Sequence, residues 1–202
     1  MSGIIAQNVG RHTGLIKAAA AGGEWTLIST VTSDGSDATI SFTSGIDSTY
    51  DEYCFKFINI HAETESRFTF QGSIDGGSNY NVACTSTLVQ TYNNEDGDNT
   101  ILRYAPDSSS AQGTSFVNLS HDGIGDGNDA NLGGILHLYD PANTTFVKHW
   151  HFVSSSYTLG EAYEENAYSS GYFNTTSAID AIQFKMASDE IQGGSISLYG
   201  IG

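Results

Sequence analysis

Ser177-Ala-Ile-Asp-Ala-Ile-Gln-Phe-Lys-Met-Ala-Ser188 and, after a short connection, Gly194-Ser-Ile-Ser-Leu-Tyr-Gly-Ile201 carry the clearest structural pattern in the chain. Ile182, Phe184 and Met186 alternate with Gln183 and Lys185, the period of two that marks a strand buried on one face. Ile196 and Leu198 alternate in the same way with Ser195, Ser197 and Tyr199. Gly193-Gly194 supplies backbone conformations that other residues enter only with strain. The stretch therefore predicts two strands joined by a tight connection. A last strand of this kind is expected inside a sheet, because chain ends are ordered when they are tied down.

The same pattern recurs along the rest of the chain. Trp25 to Val31, Ala38 to Thr43, Tyr50 to His61, Arg67 to Ile74, Tyr80 to Tyr92, Thr100 to Tyr104, Thr114 to Leu119, Gly134 to Tyr139 and Thr145 to Val153 all read as strands. Turn residues separate them, as in Ser33-Asp-Gly-Ser36, Asp75-Gly-Gly-Ser-Asn79 and Asp140-Pro-Ala-Asn143. In Tyr50 to His61, Tyr53, Phe55 and Phe57 share one face while Cys54, Ile58 and Ile60 share the other, which implies a central strand or a bulge that switches face. Ten to twelve short strands with turn signals between them predict an all-β, antiparallel sandwich of jelly-roll type rather than βαβ units. The composition agrees: 23 Gly, 11 Tyr and 10 Phe, with two Pro, in 202 residues.

Charge divides the chain unequally. Residues 1–23 hold Arg11 and Lys17 and no acid, whereas residues 24–202 hold five basic residues against all 23 acids, a net −18 within a chain total of −16. Such a body repels phosphate backbones, which excludes direct nucleic-acid binding. No apolar run has the length of a membrane span, and Met1 to Asn8 lacks the charged and apolar regions of a secretory signal. The division predicts an N-terminal docking arm, residues 1–23, and a sandwich domain, residues 24–202. Ile4, Ile5, Leu15 and Ile16 are the arm's apolar anchors and Arg11 and Lys17 its charges. Paired aliphatics of this kind are uncommon in tails that stay disordered.

Side chains with chemical potential are scattered. His137, His149 and His151 lie on adjacent strands, His149 and His151 on one face. Zinc needs three or four converging ligands, and these histidines read as surface polar groups. The loop containing Asp122, Asp126, Asn128 and Asp129 is rich in the oxygen ligands that Ca²⁺ takes, as is Glu95-Asp96-Gly-Asp98. Neither has the EF-hand register, and turns use the same residues. Calcium is the one cofactor such loops would suit. Glu161, Glu164 and Glu165 read as a solvated acidic face rather than a glycosidase pair, which requires two carboxylates across a cleft. Tyr163, Tyr168, Tyr172 and Phe173 form an exposed aromatic cluster suited to a sugar or a protein. Cys54 and Cys84 read as small buried apolar side chains. No Ser-His-Asp elbow, phosphate loop or CxxC site is present, so no enzyme is expected.

Three stretches together resemble the small jelly-roll virion proteins of tailed phages, marine ones especially. They are Ser2-Gly-Ile-Ile-Ala-Gln-Asn-Val-Gly-Arg-His-Thr-Gly-Leu-Ile-Lys17, Ile40-Ser-Phe-Thr-Ser-Gly-Ile-Asp-Ser-Thr-Tyr-Asp-Glu-Tyr53, and Ile179-Asp-Ala-Ile-Gln-Phe-Lys-Met186 with Gly194-Ser-Ile-Ser-Leu-Tyr-Gly-Ile201. Residues 93–175 carry little of the likeness. Where the family often has Gly-Asn in the final turn, this chain has Ser188-Asp-Glu-Ile-Gln-Gly-Gly194. The resemblance implies a homotrimeric structural protein, made in the host bacterial cytoplasm and carried on the virion surface. It would decorate the capsid or form a capsid fibre, with the major capsid or tail protein as partner. The alternative is a tail-associated module that recognises a host glycan through the loops at 93–99 and 121–131.

Overall fold

Alternating side chains need two apolar layers to close over them, and the chain supplies both. The computed structural model describes residues 23–158 and 163–202. The strands are β1 (Trp25–Thr32), β2 (Ile40–Phe42), β3 (Glu52–Ala62), β4 (Phe68–Ser73), β5 (Cys84–Asn94), β6 (Thr100–Tyr104), β7 (Val117–Asn118), β8 (Leu132–Tyr139), β9 (Lys148–Thr158), β10 (Tyr163–Phe173), β11 (Ala181–Met186) and β12 (Ile191–Ile201). One sheet has eight strands in the order β1-β12-β3-β8-β9-β10-β5-β6, and the other has four, β2-β11-β4-β7. Every pair is antiparallel. The expected antiparallel sandwich is present, with the chain crossing repeatedly between its layers. The eight-to-four division contrasts with the eight strands that a jelly roll shares between two sheets. Among the described residues no helix is long and apolar enough to cross a membrane.

The terminal pair departs from expectation in one respect. β11 and β12 are not partners: β11 lies between β2 and β4 in the small sheet, and β12 between β1 and β3 in the large one. Their connection crosses from layer to layer, where the Ile191 N–H donates to the Asp37 carbonyl at 2.9 Å. Alternation is the same for two strands that pair and for two that face each other, so the pattern alone does not separate these cases. The inward faces are as expected, with Ile182, Phe184, Ile196 and Leu198 all at 0% exposure. As the last strand, β12 is flanked on both sides.

Phe184 is the hub of the core. Its ring centroid lies 5.1 Å from Phe55 and from Phe57, 5.8 Å from Phe68, and 6.2 Å from Phe42 and from Phe70. Strands from both sheets thus meet on one side chain, mostly in edge-to-face geometry, which suits the aromatic quadrupole. In β3 the switch of face is a bulge. Asn59 has φ +53° and the register with β8 shifts between Phe57 and Ile60. Ile58 is consequently half exposed while Ile60 turns into the core. Gly194 of β12 passes this bulge at φ +100°, where an added Cβ would sit 2.4 Å from the Asn59 carbonyl oxygen. Only glycine meets both demands.

Candidate functional site

The inner face of the large sheet is filled by the core, so its outer face is determined by parity. Tyr53, Phe55 and Phe57 point inward, and Glu52, Cys54, Lys56 and Ile58 outward. Following cross-strand partners, one outward row runs Thr30, Ser197, Lys56, Ile135, Val153, Tyr168, Val89 and Tyr104 across all eight strands. On one side it is flanked by a row through Leu27, Tyr199, His137 and His151, and beyond that by Trp25, Glu52 and Tyr139. On the other side lie Asn166, Thr91 and Leu102. Lys56 and Glu52 are the only Lys, Arg, Asp or Glu residues in these four rows, in a chain with 23 acids. Among the described residues ten large apolar side chains are well exposed, and all but Ile74 and Phe146 lie on this face, Leu102 at 74%, Tyr104 at 54% and Tyr168 at 52%. Contiguous apolar exposure on that scale marks a contact surface rather than ordinary surface scatter. Two shallow depressions of about 280 and 230 Å³ open on it, one around His149 and Tyr172, the other between His151, Tyr168 and Val89.

An aromatic and imidazole corner occupies one end of the face. His137 and His151 stand directly opposite each other in register, rings stacked 4.6 Å apart and within 3° of parallel. His137 Nδ1 bonds to the Glu52 carboxylate, and His151 Nδ1 lies 2.8 Å from the Tyr139 hydroxyl. Trp25 meets His137 edge-on at 6.2 Å and Tyr199 at 5.5 Å. Lys56 Nζ lies 5.3 Å from the Trp25 ring centre, a cation–π distance. Burial, followed by the neighbouring His137, pulls the His151 pKa down. His149 is not part of this stack; it lies on the same face beside Tyr172, 5.8 Å away. Parallel rings with both Nδ1 atoms engaged do not converge on one point, and among the described residues no group of three or more His, Cys, Asp or Glu could hold a metal ion. Cys54, under this corner, is a free buried thiol pushed up to about 12, mainly by burial and then by Glu52. Cys84 is likewise free, buried and raised to about 12 by burial. Thiols in that range are inert.

The acidic segment of β10 splits between the two faces. Glu164 is exposed and accepts from Ser155 Oγ at 2.9 Å. Glu165 points inward at 0% exposure, which corrects its reading as part of a solvated face. Its carboxylate accepts the backbone N–H groups of His121 at 2.9 Å and Asp122 at 3.2 Å. Burial pushes its pKa up to about 7, and the Asp122 charge adds to that while the two N–H bonds oppose it. Asp122 in turn accepts from Gln90 Nε2 and from the Tyr163 hydroxyl, and Arg103 donates to Gln90 Oε1 at 2.7 Å. The loop read as a candidate calcium ligand set is thus pinned beneath the sheet by its own side-chain network. The second such loop is closed by Asn94, which donates to Asp98 Oδ1 at 2.7 Å.

The aromatic cluster is divided in the same way. Tyr168 and Tyr172 face outward, Tyr163 stacks on Tyr92 at 4.5 Å, and Phe173 is fully buried in the core, so the four do not form one exposed group. Glu161 lies outside the described residues, as do Ile4, Ile5, Arg11, Leu15, Ile16 and Lys17 of the expected arm. Gly23, the first described residue, donates its N–H to the Gly202 carbonyl at 2.9 Å, beside Trp25 at the edge of the outer face. Sequence reading did not identify Val89, Leu102 and Tyr104 as functional. The available signal was pairs of adjacent apolar residues, Leu88 with Val89 and Ile101 with Leu102, which place an apolar side chain on each face of a strand.

No family model matches the chain, and no curated protein matches it. Among solved structures the chain is similar to a structural-genomics protein of unknown function from Bacteroides ovatus, at 11% identity over 66% of this chain and 44% of that one, with a TM-score of 0.20. It is also similar to structures of infectious bursal disease virus. For the Gt strain the identity is 10%, the coverage 88% of this chain and 40% of that one, and the TM-score 0.17. For the Gx strain these values are 14%, 89%, 40% and 0.16. The chain spans less than half the length of each of these, and at such TM-scores the likenesses carry no argument about function.

Proposed function

We propose that the chain is a non-enzymatic structural protein of a tailed-phage particle, a capsid decoration or capsid-fibre component. It attaches to the major capsid or tail protein through residues 1–23 and projects its sandwich outward. The observation that carries this reading is the outer face of the large sheet: apolar, aromatic and almost free of charge on a strongly acidic body. That is the composition of a protein contact surface rather than of a catalytic cleft. The resemblance of the three quoted stretches to virion proteins supplies the setting. The arm, with two positive charges and no acid, suits an acidic or apolar groove on another protein.

Deleting residues 1–20 tests the attachment. The truncated protein is expected to keep its strand-type circular dichroism and its melting temperature, since the described core draws on residues from Ile28 onward. It is expected to be missing from purified particles when copy number is measured by quantitative mass spectrometry. Full occupancy by the truncated protein would overturn the role given to the arm.

A further inference from the structure

We propose that the outer face of the eight-stranded sheet is a self-association surface and that its occupant is a second copy of this chain. The inference rests on reading this face as a protein contact, but not on the phage assignment.

Charge selects the occupant. A chain of net −16 repels its own copies over most of its surface. The four outward rows are where that repulsion is absent, because Glu52 and Lys56 cancel and no other Asp, Glu, Lys or Arg side chain stands there. A basic partner would find too few acids on this face, and a nucleic acid too few cations. An equally neutral, apolar surface is its complement, and the chain itself carries one.

Size and shape agree. Eight strands spaced about 4.8 Å apart and four rows of alternate residues cover roughly 700 Å², close to the ~800 Å² that each partner contributes to a standard interface. Two copies of one sheet share the same twist, so they can stack as aligned sheets do within a sandwich. The exposed Tyr168, Tyr104, Tyr139 and Trp25 are residue types enriched at such contacts. The depressions beside Tyr172 and Val89 offer places for a facing ring.

The test is the solution mass of the full-length chain by light scattering at concentrations up to about 100 µM. The wild type and Phe146→Glu, a substitution at an exposed apolar residue off this face, are expected to associate equally. Tyr168→Glu and Leu102→Glu, each made singly, are expected to weaken association by about a hundredfold without lowering the melting temperature. A wild type that is monomeric throughout would overturn the proposal, as would association that neither face substitution weakens. A monomeric wild type whose arm deletion still removes it from particles would separate this failure from failure of the particle reading.

Discussion

Truncating Phe184 to alanine is expected to lower the unfolding free energy by about 4 kcal/mol, within the range for deleting a buried aromatic ring. For a domain of this size the melting temperature falls by roughly 10 °C. The reason is position: the ring meets five other phenylalanines from β2, β3 and β4, so the void cannot be closed by one neighbour moving. Phe184→Asp goes further, because an unpaired carboxylate at that point has no water and no donor. That variant is expected to be unfolded, without a cooperative transition in denaturant. A soluble Phe184→Asp protein with wild-type cooperativity would show that this ring does not join the two sheets.

The second large effect is a dependence on pH. Glu165 has a folded pKa of about 7 against an ordinary value of 4.5, raised first by burial. A carboxyl whose pKa rises on folding favours the fold most when it is protonated in both states. Its contribution is therefore complete below about pH 4.5, declines as pH rises toward 7 and is constant above that. The gap corresponds to roughly 3 kcal/mol. His121, packed nearby, has its pKa lowered mainly by burial; its contribution is present above the ordinary histidine value and is lost as pH falls, so the two oppose each other. Comparing the wild type with Glu165→Gln isolates the carboxyl. The amide keeps one acceptor and forfeits the other, a loss that does not vary with pH. Relative to this variant, the wild type is expected to be roughly 3 kcal/mol better placed at pH 4.5 than at pH 8 in urea melts. Parallel stability curves for the two proteins would contradict the account.

Glu165 also shows where sequence reading stops. It shares parity with Ala167 and Phe173 on β10, so its inward direction was legible in the alternation. The backbone donors that hold it come from residues 121 and 122, more than forty positions away, and no local pattern announces them. Lys148 is similar. It shares parity with Trp150 and Phe152, is fully buried, and donates from Nζ to the carbonyls of Phe146 at 2.8 Å and Thr175 at 3.1 Å. The sandwich itself was legible, because strand spacing and turn residues act locally. The separation of β11 and β12 into different sheets was not, since pairing depends on which distant strands compete for each edge. The outer face was hidden for a related reason. Leu88 and Val89 are adjacent apolar residues on opposite faces of β5, and only the position of the small sheet decides which is core and which is surface.

Hydroxyl-radical footprinting of the full chain over a concentration series tests directly whether the outer face of the large sheet is a contact surface between copies of this chain. Tyr104, Tyr139 and Tyr168 are exposed there, and Phe146 is exposed away from it. The three tyrosines are expected to lose reactivity together as concentration rises while Phe146 remains fully reactive. Tyrosines that stay as reactive as Phe146 at every concentration would contradict it.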